Sequence, residues 1–319
     1  MAMADERLRL FARLAARRAE LLSQLLGLDR RALTEEPFLD GWTVKDLLAH
    51  IGAWDRWEHR QMARMVVGEN PEDVAIDAQN AMVVAEWRDR SLDQVVSELQ
   101  DARTSWATWL RGLSDGEFFQ SRPFDDWDWA FRNCLEIQWQ HDAEHAAQVA
   151  AWRKAYGPGG ESGPRCVLLA ALDAARQEVL TLSALAPSDS RASRPVCGVW
   201  TLREVLGHLA DWDAVGVEGL RVMARGRQPD LEIISDIDAW NAEHAQARRD
   251  QPWEDVWADL QGTRAALRDI LEGMDQAKLG RWYRYPWGAR GTAYQFVAVF
   301  ISHDREHAED LREALTGEA

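Results

Sequence analysis

Six histidines carry the chemistry that this sequence offers. His141 and His145 are four residues apart. On a helix that spacing projects both rings from one face, one turn apart, so two imidazole nitrogens can reach one cation. His50 lies far upstream and supplies a third nitrogen if its helix packs against theirs. The pattern recurs: His303 and His307 are again four apart, and His208 is the distant partner. Three imidazoles with an open position describe a catalytic or substrate-binding metal site, whereas a closed structural zinc site has about four protein ligands. Imidazole nitrogen suits Zn, Ni, Fe or Cu better than Ca or Mg. The competing reading is a set of buried, hydrogen-bonded histidines copied by duplication. A single H-x3-H is weak, but the pair occurs twice, each time with an equivalent distant partner.

The neighbours of these histidines are the candidates for the rest of a site. Trp54 and Trp212 follow the lone histidines by one turn, which makes them core residues or walls against a substrate. Asp142 and Glu144, with Asp304 and Glu306, flank the paired histidines. They are expected to orient ligand imidazoles, to act as general base on an activated water, or simply to face solvent. Asp77 with Asn80, and Asp238 with Asn241, share a helical face and can bind substrate or cap a turn. His59 and His244 have no counterpart in the other half and are read as surface residues. HDAEH and HDREH satisfy the H-x-x-E-H peptidase pattern, which also needs a carboxylate ligand well downstream. Few residues follow His307, so the second half is expected to lack one. Di-iron bundles need paired E-x-x-H with inward glutamates, and these are missing. The chain has no G-x-G-x-x-G, no phosphate-binding G-x-x-x-x-G-K-[ST] and no basic stripe.

What must position these residues is a duplicated helical domain. GWTVKDLLAHIGAWD at 41–55 recurs as VWTLREVLGHLADWD at 199–213, IDAQNA at 76–81 as IDAWNA at 237–242, and HDAEHAAQV at 141–149 as HDREHAEDL at 303–311. The order is kept and the offset drifts only from 158 to 162. After Tyr156 the run GPGGESGP breaks helix and strand alike. The reading is one domain over 1–156, a connector over 157–163 and a second domain over 164–319. Leu8, Phe11, Leu14, Leu21, Leu22 and Leu25 recur at helical spacing over 5–27. Thr43 with Asp46, Thr201 with Glu204 and Ser91 with Gln94 are spaced as capping boxes. Further helices are expected over 75–88, 130–156, 237–249 and 290–316. The tracts 118–129 and 280–289 read as long loops. Each copy then has about four long helices and no sustained period-two pattern, so the fold class is all-α, two tandem four-helix bundles.

Bulk composition narrows the partners. Thirty-seven basic against 53 acidic residues give a net charge of −16 over 319 residues. Such a surface repels phosphate backbones and anionic lipid, so nucleic acid and membrane are not expected partners. No apolar run approaches the ~18 residues of a membrane span, and MAMADERLRLFARLAARRAE lacks the apolar core of a signal peptide. Cys134, Cys166 and Cys197 are odd in number and scattered, which favours free thiols in a reducing cytoplasm. Seventeen tryptophans imply aromatic cores or indole-lined pockets.

The W-T-x-x-(D/E)-x-(L/V)-x-H segment, followed about ninety residues on by H-x3-H, resembles the DinB/YfiT-like metalloenzyme superfamily, and the resemblance covers nearly the whole chain as a tandem pair. It implies four-helix bundles holding a divalent metal, Zn or Ni foremost, on His50, His141 and His145 and on His208, His303 and His307. Relatives that the resemblance brings in include mycothiol-dependent maleylpyruvate isomerase, S-transferases using bacillithiol or mycothiol, and ClbS-type colibactin self-resistance proteins. It implies a metal-dependent enzyme in which a low-molecular-weight thiol or a water is activated against a small electrophile: an S-transferase, isomerase or hydrolase in detoxification or self-resistance. The alternative is a non-catalytic protein that binds or sequesters a small molecule around structural metal sites. A fused pair is expected to act as a monomeric pseudo-dimer or to form a homodimer.

Overall fold

Helix starts in this chain are set by side chains that answer the exposed amides of a first turn. Thr43, Ser91, Ser114, Thr201 and Thr292 each accept from the N3 amide while the N3 side chain returns a bond to the cap. The computed structural model describes residues 2–124, 127–157, 159–230 and 233–317. The chain divides into two compact units, Met1–Gly159 and Gly160–Ala319.

The first unit is built on α1 (Ala2–Ser23), α2 (Arg30–Thr34), α3 (Val44–Val66), α4 (Ile76–Trp87), α5 (Leu92–Gly112), α6 (Asp115–Phe119), the two-residue strands β1 (Pro123–Phe124) and β2 (Trp127–Asp128), and α7 (Phe131–Tyr156). Four of these are long, and α1 packs on α7 while α3 packs on α5. Gly52 faces the backbone of Leu99 and Met62 meets Trp106, so α3 and α5 run parallel. Such a pair needs a long crossover, and α4 lies within it. Leu10, Phe11, Leu14, Met62, Trp106, Phe118, Phe131 and Leu135 fill one core cluster.

The second unit repeats the plan with α8 (Arg165–Ser183), β3 (Pro195–Cys197), β4 (Trp200–Thr201), α9 (Leu202–Met223), α10 (Ile237–Arg248), α11 (Trp253–Glu272), α12 (Gln276–Leu279), β5 (Trp282–Arg284), β6 (Arg290–Thr292) and α13 (Ala293–Thr316). Here α8 packs on α13 and α9 on α11. The fold is all-α, with two units in tandem. Apart from 125–126, which lie outside the described residues, the tracts expected as loops are more ordered than that. Residues 280–289 begin a hairpin in which Tyr283 pairs with Gly291, and 118–129 includes the end of α6 and the β1–β2 pair. Among the described residues no helix is long and apolar enough to cross a membrane.

Each bundle is tied through its middle by four buried charges, one from each long helix. In the first unit the Arg18 guanidinium bonds Asp142 at 3.1 Å and Asp55 at 2.9 Å, and Arg103 bonds Asp55 at 2.7 Å and lies 3.2 Å from Asp142. In the second, Arg176 bonds Asp304 at 2.8 Å and Asp213 at 3.0 Å, while Arg264 bonds Asp213 at 2.9 Å and Asp304 at 2.9 Å. Burial alone would push the Asp142 carboxyl up. The Arg103 and Arg18 guanidiniums more than offset it and hold the carboxyl below the ordinary carboxylate range, and Arg176 and Arg264 do the same for Asp304. A lowered acid stabilises the fold above its unfolded pKa and loses that contribution as pH falls through its folded value.

Removing one member of such a square strands a buried charge, which costs about 3–5 kcal/mol. We therefore expect Arg264→Met to lower the unfolding free energy of the second unit by that order in chemical unfolding followed by circular dichroism. A surface change such as Arg284→Met should move it by no more than ~0.5 kcal/mol. An Arg264→Met midpoint equal to the wild type would show that the square does not hold the bundle.

Candidate metal centres

The middle of α7 carries His141 and His145 beside Asp142 of the square, and α3 brings His50 to them. His50 Nε2 lies 2.9 Å from His141 Nε2, and His145 Nε2 lies 2.9 Å from the same atom. The second unit repeats this, with His208 Nε2 at 2.9 Å and His307 Nε2 at 3.2 Å from His303 Nε2. The lone histidine and the pair are 91 residues apart in one unit and 95 in the other.

The outer ring nitrogens show which tautomer faces inward. His50 Nδ1 donates to the Asn80 Oδ1 amide oxygen at 3.0 Å, and that oxygen also accepts the Trp54 indole N–H at 2.9 Å. His145 Nδ1 donates to Gln148 Oε1 at 2.7 Å, and His307 Nδ1 donates to the Asp310 carboxylate at 3.2 Å. A ring that donates from Nδ1 presents a lone pair at Nε2. His141 Nε2 and His303 Nε2 each have two such neighbours within 3.2 Å, and a ring nitrogen carries one proton or one lone pair, so one contact in each unit stays repulsive unless a cation sits among the nitrogens. A Zn–N shell of about 2.0–2.1 Å spaces its nitrogens similarly. The residues present therefore fit a divalent cation, which would be held by the three Nε2 atoms of each unit.

Burial keeps His50, His141, His208 and His303 neutral. It lowers His50 to about 4, with the His145 ring adding repulsion, and lowers His141 to about 2, helped by His145 and His50. In the second unit burial and the neighbouring rings bring His208 to about 2, and burial with His307 brings His303 to about 4. Neutral imidazole is the form that binds metal.

The candidate carboxylates separate. Asp142 and Asp304 are fully buried and face the arginines of the squares, so neither is placed to take a proton from a ligand in the site; the expectation of a general base fails for this pair because their oxygens are already committed. Glu144 is exposed on α7, and Glu306 lines the cavity of the second unit. Asn80 and Asn241 lie inside α4 and α10 and accept the indole N–H of Trp54 and Trp212 at 2.9 Å, so they position side chains rather than cap a turn. Asp77 and Asp238 sit exposed in the first turns. Neither His59 nor His244 is a simple surface residue: His59 is half-buried beside Trp109, and His244 stacks on Trp240 at 3.7 Å. The sequence reading also missed Trp42 and Trp200, whose rings lie 5.2 Å from His50 and 4.9 Å from His208. Their signal was their place in the duplicated W-T segment.

A cavity of about 480 Å³ opens onto the second triad, walled by Trp200, Trp212, Trp287 and Phe300, with Asn241, Ser302 and Glu306 as polar groups. Its Phe300 wall rests on Gly216, where a Cβ would stand 2.6 Å from the phenyl ring. The equivalent pair in the first unit is Glu58 and Gln138. They are hydrogen-bonded to each other, and burial pushes the Glu58 carboxyl up to about 8. The two centres thus share a triad and differ in the packing beside it.

The profile of the DinB superfamily matches residues 13–149 and again 171–311. The chain belongs to the DinB superfamily. Both matches enclose a complete histidine triad. No curated protein and no solved structure matches the chain significantly. This tandem DinB protein is thus a two-unit chain whose buried triads are compatible with metal-dependent enzyme chemistry.

In the metal-free chain, His50 and His303 carry lowered folded values near 4 against 6.5. A lowered base makes the unfolded chain bind more protons, so stability is full above the unfolded value and falls with pH between the two. We expect the chelated protein to lose stability between about pH 6.5 and 4, at roughly 1.4 kcal/mol per pH unit for each histidine that titrates. His50→Gln should flatten that slope. A pH-independent denaturation midpoint over this window would contradict the burial of neutral His50 and His303.

Proposed function

We propose that this protein is a divalent-metal-dependent enzyme that activates a low-molecular-weight thiol or a water for attack on a small electrophile. The observation that carries the reading is the convergence of three imidazole nitrogens in each unit, with a cavity opening onto the second triad. A divalent cation there, Zn or Ni by donor chemistry, supplies the polarisation that lowers the pKa of a bound thiol or water. The remaining work falls to the protein's own side chains. Asn80 and Gln148 fix the orientation of His50 and His145, and Asp310 that of His307. Trp200, Trp212, Trp287 and Phe300 exclude water and offer faces for an apolar electrophile. Glu306 is the carboxylate within the cavity lining, and we assign it the role of accepting the nucleophile's proton. Glu144 is its counterpart in the first unit. A thiol partner of the mycothiol or bacillithiol type, and a detoxification or self-resistance setting, belong to this proposal. So does action as a monomeric pseudo-dimer.

The indole-rich wall supports a second reading, in which the cavity sequesters a small molecule without turning it over. A joint His145→Ala and His307→Ala variant separates the two. For the enzyme, conjugation of thiol to a model electrophile should fall by at least about 10²-fold, and chelation of the wild type should do the same, reversed by adding zinc or nickel. Ligand quenching of tryptophan fluorescence that survives in the variant, with no turnover in the metal-loaded wild type, would favour sequestration.

A further inference from the structure

The two units differ on the outer side of the triad. In the first unit His145 Nδ1 donates to Gln148, and the residue on the neighbouring turn of chain is Leu39, paired with Trp42. In the second unit the equivalents are Asp310 and Cys197, the latter paired with Trp200 in the β3–β4 hairpin. Where the first unit has an amide and a leucine, the second has a carboxylate and a thiol. The Cys197 thiol hydrogen-bonds Asp310, and Asp310 accepts from His307 Nδ1 at 3.2 Å. One ligand atom each from Cys197, His307 and Asp310 lies within 4.8 Å of the other two. The group is half-open: Cys197 is partly buried and the Asp310 side chain is 37% exposed, so an ion has a route in and solvent can complete its shell.

We propose that Cys197, Asp310 and the outer nitrogen of His307 form a further cation site, present in the second unit only and selective for a soft divalent ion such as zinc. Sulfur, imidazole nitrogen and carboxylate oxygen are the donor set zinc prefers, and thiolate excludes Ca and Mg. Binding releases the Cys197 thiol proton and the His307 Nδ1 proton to solvent, because only thiolate and an unprotonated nitrogen donate. His307 would then be an imidazolate, its negative charge balanced by the cations its two nitrogens face. His307 turns its two nitrogens to opposite sides, Nε2 to the triad and Nδ1 to Asp310, so the ring links the inner centre to the outer site. The first unit cannot copy this, since leucine and glutamine offer neither thiolate nor carboxylate. The inference is separate from the catalytic reading above: it concerns a sulfur ligand, which neither triad contains.

Cobalt(II) reports sulfur directly, because a thiolate ligand adds an intense near-ultraviolet charge-transfer band that histidine-only sites lack. Titrating the chelated full chain with cobalt should produce that band, saturating at one thiolate per chain. Cys197→Ser should abolish it while keeping the weaker visible bands of the triads and the helical circular dichroism. Asp310→Asn should raise the cobalt concentration needed for it by at least tenfold. In the unmodified chain, zinc should slow alkylation of Cys197 at least tenfold, read by peptide mass mapping. Absence of the band at saturating cobalt, its survival in Cys197→Ser, or alkylation indifferent to zinc would overturn the proposal.

Discussion

The architecture rests on a square of two guanidiniums and two carboxylates buried at the centre of each bundle. Four helices converge there, each giving one charged side chain. Such groups are costly to bury and worth little unless every partner is present, so the square selects one register of the four helices and penalises slips. That register matters to the chemistry. Asp142 and Asp304 are the residues next to His141 and His303, so fixing these aspartates fixes where the neighbouring imidazoles can point. A hydrophobic seam alone tolerates sliding and repacking; a bidentate Arg–Asp contact does not.

Much of this was legible in the amino-acid order, and the reasons are physical. The period of an α-helix converts H-x3-H into two rings on one face, and the duplication marks out the third histidine. Capping boxes at Thr43, Ser91 and Thr201 are local, so spacing alone reveals them. The role of Asp142 was not legible from its surroundings in sequence, because its partners Arg18 and Arg103 come from other helices. The repeat held a clue: Arg18, Asp55, Arg103 and Asp142 all recur as Arg176, Asp213, Arg264 and Asp304. Charge retained in both copies on otherwise apolar helix faces implies mutual burial. The β5–β6 hairpin escaped because strands of three residues carry no usable alternation.

The differences between the copies are as informative as their likeness. Where one bundle packs Phe300 onto Gly216, the other sets Gln138 against Glu58. Both members of a touching pair have changed together, which preserves packing while replacing an aromatic contact with a polar one. The outer partners of His145 and His307 differ likewise, an amide in one unit and a carboxylate in the other. A carboxylate on the far nitrogen makes an imidazole a stronger donor than an amide does. Two triads with one plan are thereby given unequal surroundings, and the indole-walled cavity lies beside the one with the carboxylate partner.

Everything functional in this account depends on an ion being gripped by imidazole nitrogens brought together from separate helices. The most direct measurement is anomalous diffraction at the metal edge from crystals of zinc-loaded protein. The account predicts a peak between the Nε2 atoms of His50, His141 and His145 and another between those of His208, His303 and His307. Rings found turned away from one another, with no anomalous density between them, would contradict it.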